Sequence, residues 1–272
     1  MTQIRVLLAG CGNMGYAMLA GWIGSGKLDP SEILVVEPID ALRARAATLG
    51  CKVAASSDDM EAETAPELVV LAVKPQIIRA VTEGYRRFAG GSTIFLSIAA
   101  GTGVATFEEL LGRDAPIMRC MPNTPAAIGK GMMVTFANPN VSDAARGFVG
   151  NLLSASGKVA TIEDEGLMDA VTAVSGSGPA YVFHFIECLT AAGAKAGLPP
   201  ETAKLLAMQT VYGAALLAAE SSEEPGELRR LVTSPNGTTA AALEILMGYG
   251  RLEQLVNEAV DAARLRSAEL GR

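Results

Sequence analysis

The sequence predicts a doubly wound α/β domain with a mostly parallel sheet, followed by an all-helical second half. Three observations carry this. Short runs rich in Val, Ile and Leu alternate with helical stretches through the first half; a G-x-G-x-x-G turn joins the first such run to the first helix; and strand signals stop after about residue 163.

Residues 4–9, 33–37, 68–73 and 93–98 read as strands, brief and mostly bounded by Gly or Pro, with 51–54 a weaker candidate third in chain order. Their near-continuous hydrophobicity suits a parallel sheet covered on both faces. Helical stretches fall between them at 15–23, 41–49, 76–88 and 106–111. Further strands are expected at 117–120, 132–136 and 158–162, with a helix near 143–153. Beyond them, 167–174, 180–196, 200–220, 225–232, 239–247 and 252–270 are all helix-like. Pro179 opens one helix, and Gly197 before Pro199 and Pro200 closes it, the usual asymmetry of helix ends. The expected domains are therefore 1–162 and 163–272. Several late helices are apolar on more than one face, as in Leu205, Leu206, Met208, Val211, Leu216 and Leu217. A helix hydrophobic all round must be buried, and a domain of this size has too little interior to hide several. The helical half is expected to pair with a second copy of itself.

The 272-residue chain is half apolar and a fifth charged, a globular composition, and its net charge of −7 argues against nucleic acid and anionic membrane as partners. Cys11, Cys51, Cys120 and Cys188 are widely spaced and read as reduced thiols in a cytoplasmic protein, with no metal site implied. The N-terminal apolar run is cut by the glycine turn and does not resemble a signal peptide, and no uninterrupted apolar stretch reaches membrane-spanning length. His184 is the sole histidine, which excludes multi-histidine metal chemistry. It lies in an apolar helical stretch and reads as a hydrogen-bonded core or interface residue rather than a proton donor.

In the glycine turn, Gly10 permits the tight bend, Gly12 lets backbone approach a pyrophosphate, and Gly15 allows close packing of helix on strand; Asn13 and Met14 open the helix. The bland alternative is a plain glycine-rich turn. Glu37 ends the second strand, 22 residues after Gly15, where a carboxylate accepts hydrogen bonds from the adenosine ribose and repels a 2′-phosphate. Asp58 and Asp59 add to that repulsion, while Arg43 and Arg45 read as solvated helix-face charges. The balance leans toward NADH over NADPH. Ala72-Val73-Lys74-Pro75 ends the fourth strand and Ala99-Ala100-Gly101 follows the fifth, so both should edge the cofactor; Lys74 reads as an anchor rather than a Schiff-base lysine. Asn123, between Pro122 and Pro125, sits in a stiff polar loop. The charged clusters at 163–165 and 223–224 read as solvated surface. In Thr233–Thr239, T-S-P-N-G-T-T, Ser234, Thr238 and Thr239 offer hydroxyls and Gly237 exposes backbone N–H groups at the mouth of a helix. Taken by itself this is either a capped helix after a Pro-Asn-Gly turn or an anion site sized for a small carboxylate.

Together these motifs give a resemblance. G-C-G-N-M-G at 10–15, L-A-V-K-P at 71–75, C-M-P-N-T-P at 120–125, A-V-S-G-S-G-P-A-Y at 173–181 and L-x-x-x-V-T-S-P-N-G-T-T at 228–239 resemble, in order over nearly the whole chain, the pyrroline-5-carboxylate reductase family. The resemblance implies a Rossmann domain followed by a helical dimerisation domain, and NAD(P)H-dependent reduction of 1-pyrroline-5-carboxylate to L-proline. It implies that the carboxylate is bound by Ser234, Gly237, Thr238 and Thr239, with Asn123 at the substrate and Thr239 at the ring nitrogen as the catalytic contact. It further implies an intertwined homodimer, in several members assembled as a decamer of five dimers. Two departures stand out: the family usually reads S-P-G-G where this chain has Ser234-Pro235-Asn236-Gly237, and often carries Asn near Asp59 and small or polar residues near Glu37. The rival readings are another imine or β-hydroxyacid dehydrogenase, against which Lys195 near the end of its helix counts, and a non-catalytic NAD(P)H sensor.

Overall fold

The protein is described from a computed structural model covering residues 3–62 and 64–271. The chain divides into two compact units. The first comprises residues up to Ser177 together with Ala263 onward, and the second runs from Gly178 to Ala262.

In the first unit the strands are β1 (Val6–Ala9), β2 (Ile33–Val36), β3 (Lys52–Ala54), β4 (Leu68–Leu71), β5 (Ile94–Ser97), β6 (Ile117–Met121), β7 (Gly131–Ala137) and β8 (Gly157–Thr161). They form one sheet in the order β3-β2-β1-β4-β5-β6-β7-β8, parallel throughout except for the β6–β7 pair. The helices of this unit are α1 (Asn13–Gly24), α2 (Asp40–Ala47), α3 (Ile78–Glu83), α4 (Val104–Leu111), α5 (Asp143–Leu153) and α6 (Met168–Val171). Every residue of β1, β2, β4 and β5 is buried, because alternate side chains enter two separate cores. Val6, Leu8, Val35 and Val70 face Met18, Leu19 and Trp22 of α1 and Leu152 of α5. Leu7, Leu34, Val69 and Phe95 face Ile78, Phe88 and Phe107 on the other side. The order 3-2-1-4-5-6 reverses direction between β1 and β4, so the crevice expected to hold ligand opens at the end of β1.

The helix expected over 76–88 is broken. A 3₁₀ turn at Pro75–Ile77 leads into α3, and a second at Arg86–Phe88 follows Gly84, where a Cβ would stand 2.7 Å from Ser57 Oγ. The helix expected over 167–174 is α6 continued as a π-helical stretch, Thr172–Gly176, closed by Ser177 N–H on Thr172 O at 2.8 Å. The compact unit thus continues past the last strand into residues the sequence pattern assigns to the helical half.

The second unit holds α7 (Gly178–Lys195), α8 (Pro200–Glu220), α9 (Pro225–Leu231), α10 (Thr238–Met247) and the first part of α11 (Arg251–Leu270), whose end from Ala263 belongs to the first unit. α7 and α8 form a hairpin through Gly197 at φ +103°, and approach closely because a Cβ on Gly193 would lie 3.2 Å from the Ala203 methyl. Apart from Ala203 and Ala207, α8 buries little, and Phe183, Phe185, Leu206, Met208 and Leu217 stand exposed on the single chain. α8 is long and apolar enough by length and composition to cross a membrane. The sequence expectation weighed uninterrupted runs, and here Glu201 and Lys204 confine charge to the first turns and leave 205–219 uncharged.

Candidate active site

The glycine turn is shaped by contacts with the strand beside it. Gly10 takes φ +92°, and a Cβ there would meet Ala72 O and Val73 Cγ1, both at 2.7 Å. Gly15 packs its Cα against the turn itself, a Cβ being 2.5 Å from Gly10 O. α1 opens at Asn13 behind Gly12, with no side-chain cap, so its first N–H groups and the positive end of its dipole point out of the turn. This is a pyrophosphate-binding arrangement.

Glu37 clamps the turn. It is 5% exposed; Oε2 accepts the Cys11 N–H at 2.7 Å and Oε1 accepts the Ile39 N–H at 3.0 Å. Arg43 and Arg45 are not solvated charges. Arg43 donates to the Glu37 and Pro38 carbonyls at 2.8 and 3.1 Å and pairs with Asp40. Arg45 lies 3.9 Å over the Tyr16 ring and donates to Cys11 O at 3.0 Å. Its second acceptor, Gly12 O, is 3.5 Å away. Arg45 thus grips the carbonyl side of the turn while Glu37 takes the Cys11 N–H, and the uncapped first N–H groups of α1 remain for a ligand. Burial pushes the Cys11 thiol up to about 11, with Arg45 opposing and Glu37 adding to the rise; Cys11 is therefore a neutral filler within the turn.

A cleft of about 690 Å³ gathers Gly10, Gly12, Glu37, Ala72, Val73 and Lys74. It also takes in residues that the sequence reading passed over, among them Ile39, Ser56, Ser57, Ile77, Val81 and Tyr85. Ile39 and Ile77 are more than half exposed, and the available signal was an apolar side chain just past a strand end, where periodicity assigns it to a helix start. Pro75 begins the 3₁₀ turn after Lys74, and Asn13, Met14 and Gly15 form the first turn of α1. Ala99 and Ala100 do not line the cleft; Ala99 is buried with its N–H on Ser97 Oγ at 3.2 Å. Gly101 beside them, at φ +74°, lies against the backbone of Leu270 and Gly271.

Asn123 is fully engaged within the first unit. Its Oδ1 accepts the Met132 N–H at 2.8 Å, and its Nδ2 donates to Ser175 O at 3.2 Å, tying the loop after β6 to the π-helical stretch. Glu165 is no solvated charge either. Its Oε1 accepts from the buried Arg119 and from the Val104 N–H that opens α4, both at 2.7 Å.

In the second unit, the loop before α10 turns at Asn236, which takes the left-handed φ of +59°, while Gly237 is extended at φ −83°. Asn236 meets the left-handed step that the turn needs, as a short polar side chain can, so the turn is kept where the family usually has a glycine. Gly237 is required for another reason, since a Cβ would sit 3.1 Å from Ser234 O. Its N–H is spent on that same carbonyl at 3.0 Å, so it is not a free donor. α10 follows with no side-chain cap, leaving the N–H groups of Thr238, Thr239 and Ala240 to point outward. Ser234 and Thr238 are exposed and Thr239 is half-buried. His184 is exposed, with Nδ1 3.1 Å from Glu187 Oε2 and Nε2 3.6 Å from Cys188 Sγ, so within one chain it is not a core residue.

A doubly wound sheet with a clamped glycine turn and a cleft at its switch point defines the first unit as the nucleotide domain of a nicotinamide-dependent oxidoreductase. A family model described as NADP oxidoreductase, coenzyme F420-dependent, matches residues 4–101, and one described as pyrroline-5-carboxylate reductase dimerisation matches residues 165–270. The chain is 43% identical to a pyrroline-5-carboxylate reductase of Pseudomonas aeruginosa over 99% of this chain and 98% of that one, and 41% identical to one of Synechocystis over 99% of each. A solved pyrroline-5-carboxylate reductase of Coxiella burnetii superposes with a TM-score of 0.92 at 33% identity, covering all of both chains. The Plasmodium falciparum enzyme, solved with NADP bound, superposes at 0.85 and 30% identity, also over both full chains. The chain belongs to the pyrroline-5-carboxylate reductase family.

Proposed function

We propose that this chain reduces 1-pyrroline-5-carboxylate to L-proline with NADPH or NADH, as the last step of proline biosynthesis. The observation that carries this is the pairing, in one chain, of a dinucleotide turn with a second helix N-terminus at Thr238–Ala240 whose N–H groups are uncapped and flanked by the hydroxyls of Ser234 and Thr238. The cofactor, when bound, supplies the hydride. The chain then has to hold a small anion and a ring nitrogen in register. In this reading the N–H groups of Thr238 and Thr239 and the Ser234 hydroxyl take the substrate carboxylate, Gly237 shapes the turn, and the Thr239 hydroxyl meets the ring nitrogen. Asn123 acts by positioning Ser175. The apolar faces of α7 and α8 support an intertwined homodimer, and five such dimers a decamer. The acidic surface and the buried, unpaired Cys11, Cys51 and Cys120 support work in the cytoplasm, away from membranes and nucleic acid.

The test is oxidation of NADH or NADPH on addition of pyrroline-5-carboxylate, set against a β-keto acid and no substrate. Oxidation only with the imine is expected. Turnover of the β-keto acid alone, or of neither, would overturn the reading.

A further inference from the structure

We propose that this chain selects NADH over NADPH, and that Glu37, locked in place by the turn it faces, makes the selection. This rests on the reading of the chain as a nicotinamide-dependent reductase. Glu37 stands at the end of β2 and lines the cleft beside Gly10 and Gly12, where the ribose next to adenine lies in a doubly wound sheet. Its two oxygens each hold one backbone N–H, from Cys11 and Ile39. Each keeps a further lone pair for a ribose hydroxyl. The carboxylate cannot rotate away from a 2′-phosphate without stranding the buried Cys11 amide and the part-buried Ile39 amide.

Among the described residues, no cation beside Glu37 is free to neutralise that phosphate. Arg43 is committed to two carbonyls and Asp40, Arg45 to the turn carbonyls and Tyr16, and neither lines the cleft. Lys74 does line it, but at the end of β4, two strand spacings or about 10 Å from β2. Asp58 and Asp59 follow β3, on the outer side of β2, and add negative charge there. A 2′-phosphate would bring further negative charge against a fixed carboxylate, which costs of order ten- to a hundredfold in affinity.

The experiment is calorimetric titration of the full chain, without substrate, by NADH, NADPH, ADP-ribose and 2′-phospho-ADP-ribose. Both unphosphorylated ligands are expected to bind at least about tenfold tighter than their counterparts. Raising salt from about 0.05 to 0.5 M should narrow the ratio, because like-charge repulsion is screened. Glu37→Gln, which keeps an acceptor for the Cys11 N–H, should bring the ratio within about threefold, whereas Arg43→Ala should leave it unmoved. Equal or tighter NADPH binding by the unaltered chain, a ratio insensitive to salt, or a selective loss of NADPH in Arg43→Ala would each overturn the proposal. These ratios need no turnover. A chain that kept the ratio but failed to reduce pyrroline-5-carboxylate would overturn the functional reading alone, and turnover with an inverted ratio would overturn this one alone.

Discussion

The ion pair between Arg119 and Glu165 gives a sharp quantitative test of the first unit. Arg119 lies on β6 with its side chain 8% exposed, while Glu165 is 31% exposed. Glu165 Oε1 serves two donors, the guanidinium and the Val104 N–H at the start of α4. Glu165→Ala would leave a buried guanidinium without its carboxylate and uncap α4. A fully buried orphan charge costs about 3–5 kcal/mol, which the partial exposure here reduces to roughly 2, and loss of the cap adds about 1 kcal/mol. The expected destabilisation is therefore about 3 kcal/mol. Glu165→Gln keeps an acceptor for one donor and should cost about half of that. Arg119→Met removes the buried charge while filling similar volume, and leaves Glu165 with solvent and the Val104 amide, so it should cost about 1 kcal/mol or less. Trp22 is the sole tryptophan and is fully buried on α1, so urea unfolding followed by its emission reports on this unit. A Glu165→Ala variant within about 0.5 kcal/mol of the parent would return Glu165 to the solvated surface and refute the reasoning.

Four further outcomes follow from the same structure. Gly10→Ala should destabilise the first unit by about 3 kcal/mol and abolish dinucleotide binding, since a left-handed φ and a 2.7 Å overlap with Ala72 O act together; unimpaired NADH titration would contradict this. Thr239→Ala should lower kcat about a hundredfold and leave the Kd for NADH within about twofold, and unchanged turnover would remove Thr239 from the chemistry. Phe183→Glu combined with Leu206→Glu should shift the light-scattering mass to the monomer, because both side chains stand exposed on one chain; an unshifted mass would place the interface elsewhere. Burial raises Cys11 and Cys51 to about 11 from 9.0, so their neutral forms favour the fold below pH 9 and that contribution is lost as pH climbs toward 11. Thiol reagent at pH 8 should accordingly find at most Cys188 in the native protein, and all four cysteines in denaturant.

The inner strands β1, β2, β4 and β5 were legible because they are buried on both faces, so each leaves an unbroken apolar run that no helix of that length would need. β3 was the faintest strand in the pattern, and it proves to be a short edge strand with mostly exposed side chains. The errors in helix extent have local causes. α3 ends at Gly84, where the nearness of Ser57 leaves no room for a side chain, and the π-helical stretch that continues α6 is tied to Asn123 through Ser175. Neither partner lies close in sequence to the residue it acts upon.

The site divides along the same line. Backbone requirements were readable, because Gly10 and Gly15 occupy positions where any side chain collides and spacing alone marks them. Polar side chains were not, because a charge reads as solvated until its partner is known; Arg45 and Glu165 find theirs across the fold, and Arg43 finds its own on carbonyls and a carboxylate just before it in the chain. The loop before α10 separates what the residue pattern reveals from what only the fold shows. Its turn is kept, with Asn236 supplying the left-handed step, yet Gly237 spends its N–H on Ser234 O. In the proposed reading the donors for a carboxylate are then the first N–H groups of α10, and not that of Gly237. Glycine at 237 is then needed for the space it leaves beside Ser234 O, so Gly237→Ala should weaken substrate binding by displacing Ser234, and Asn236→Gly should preserve it. Steady-state KM for pyrroline-5-carboxylate distinguishes the two positions, and an Asn236→Gly loss as large as that of Gly237→Ala would mean that the asparagine side chain, rather than its backbone conformation, serves the site.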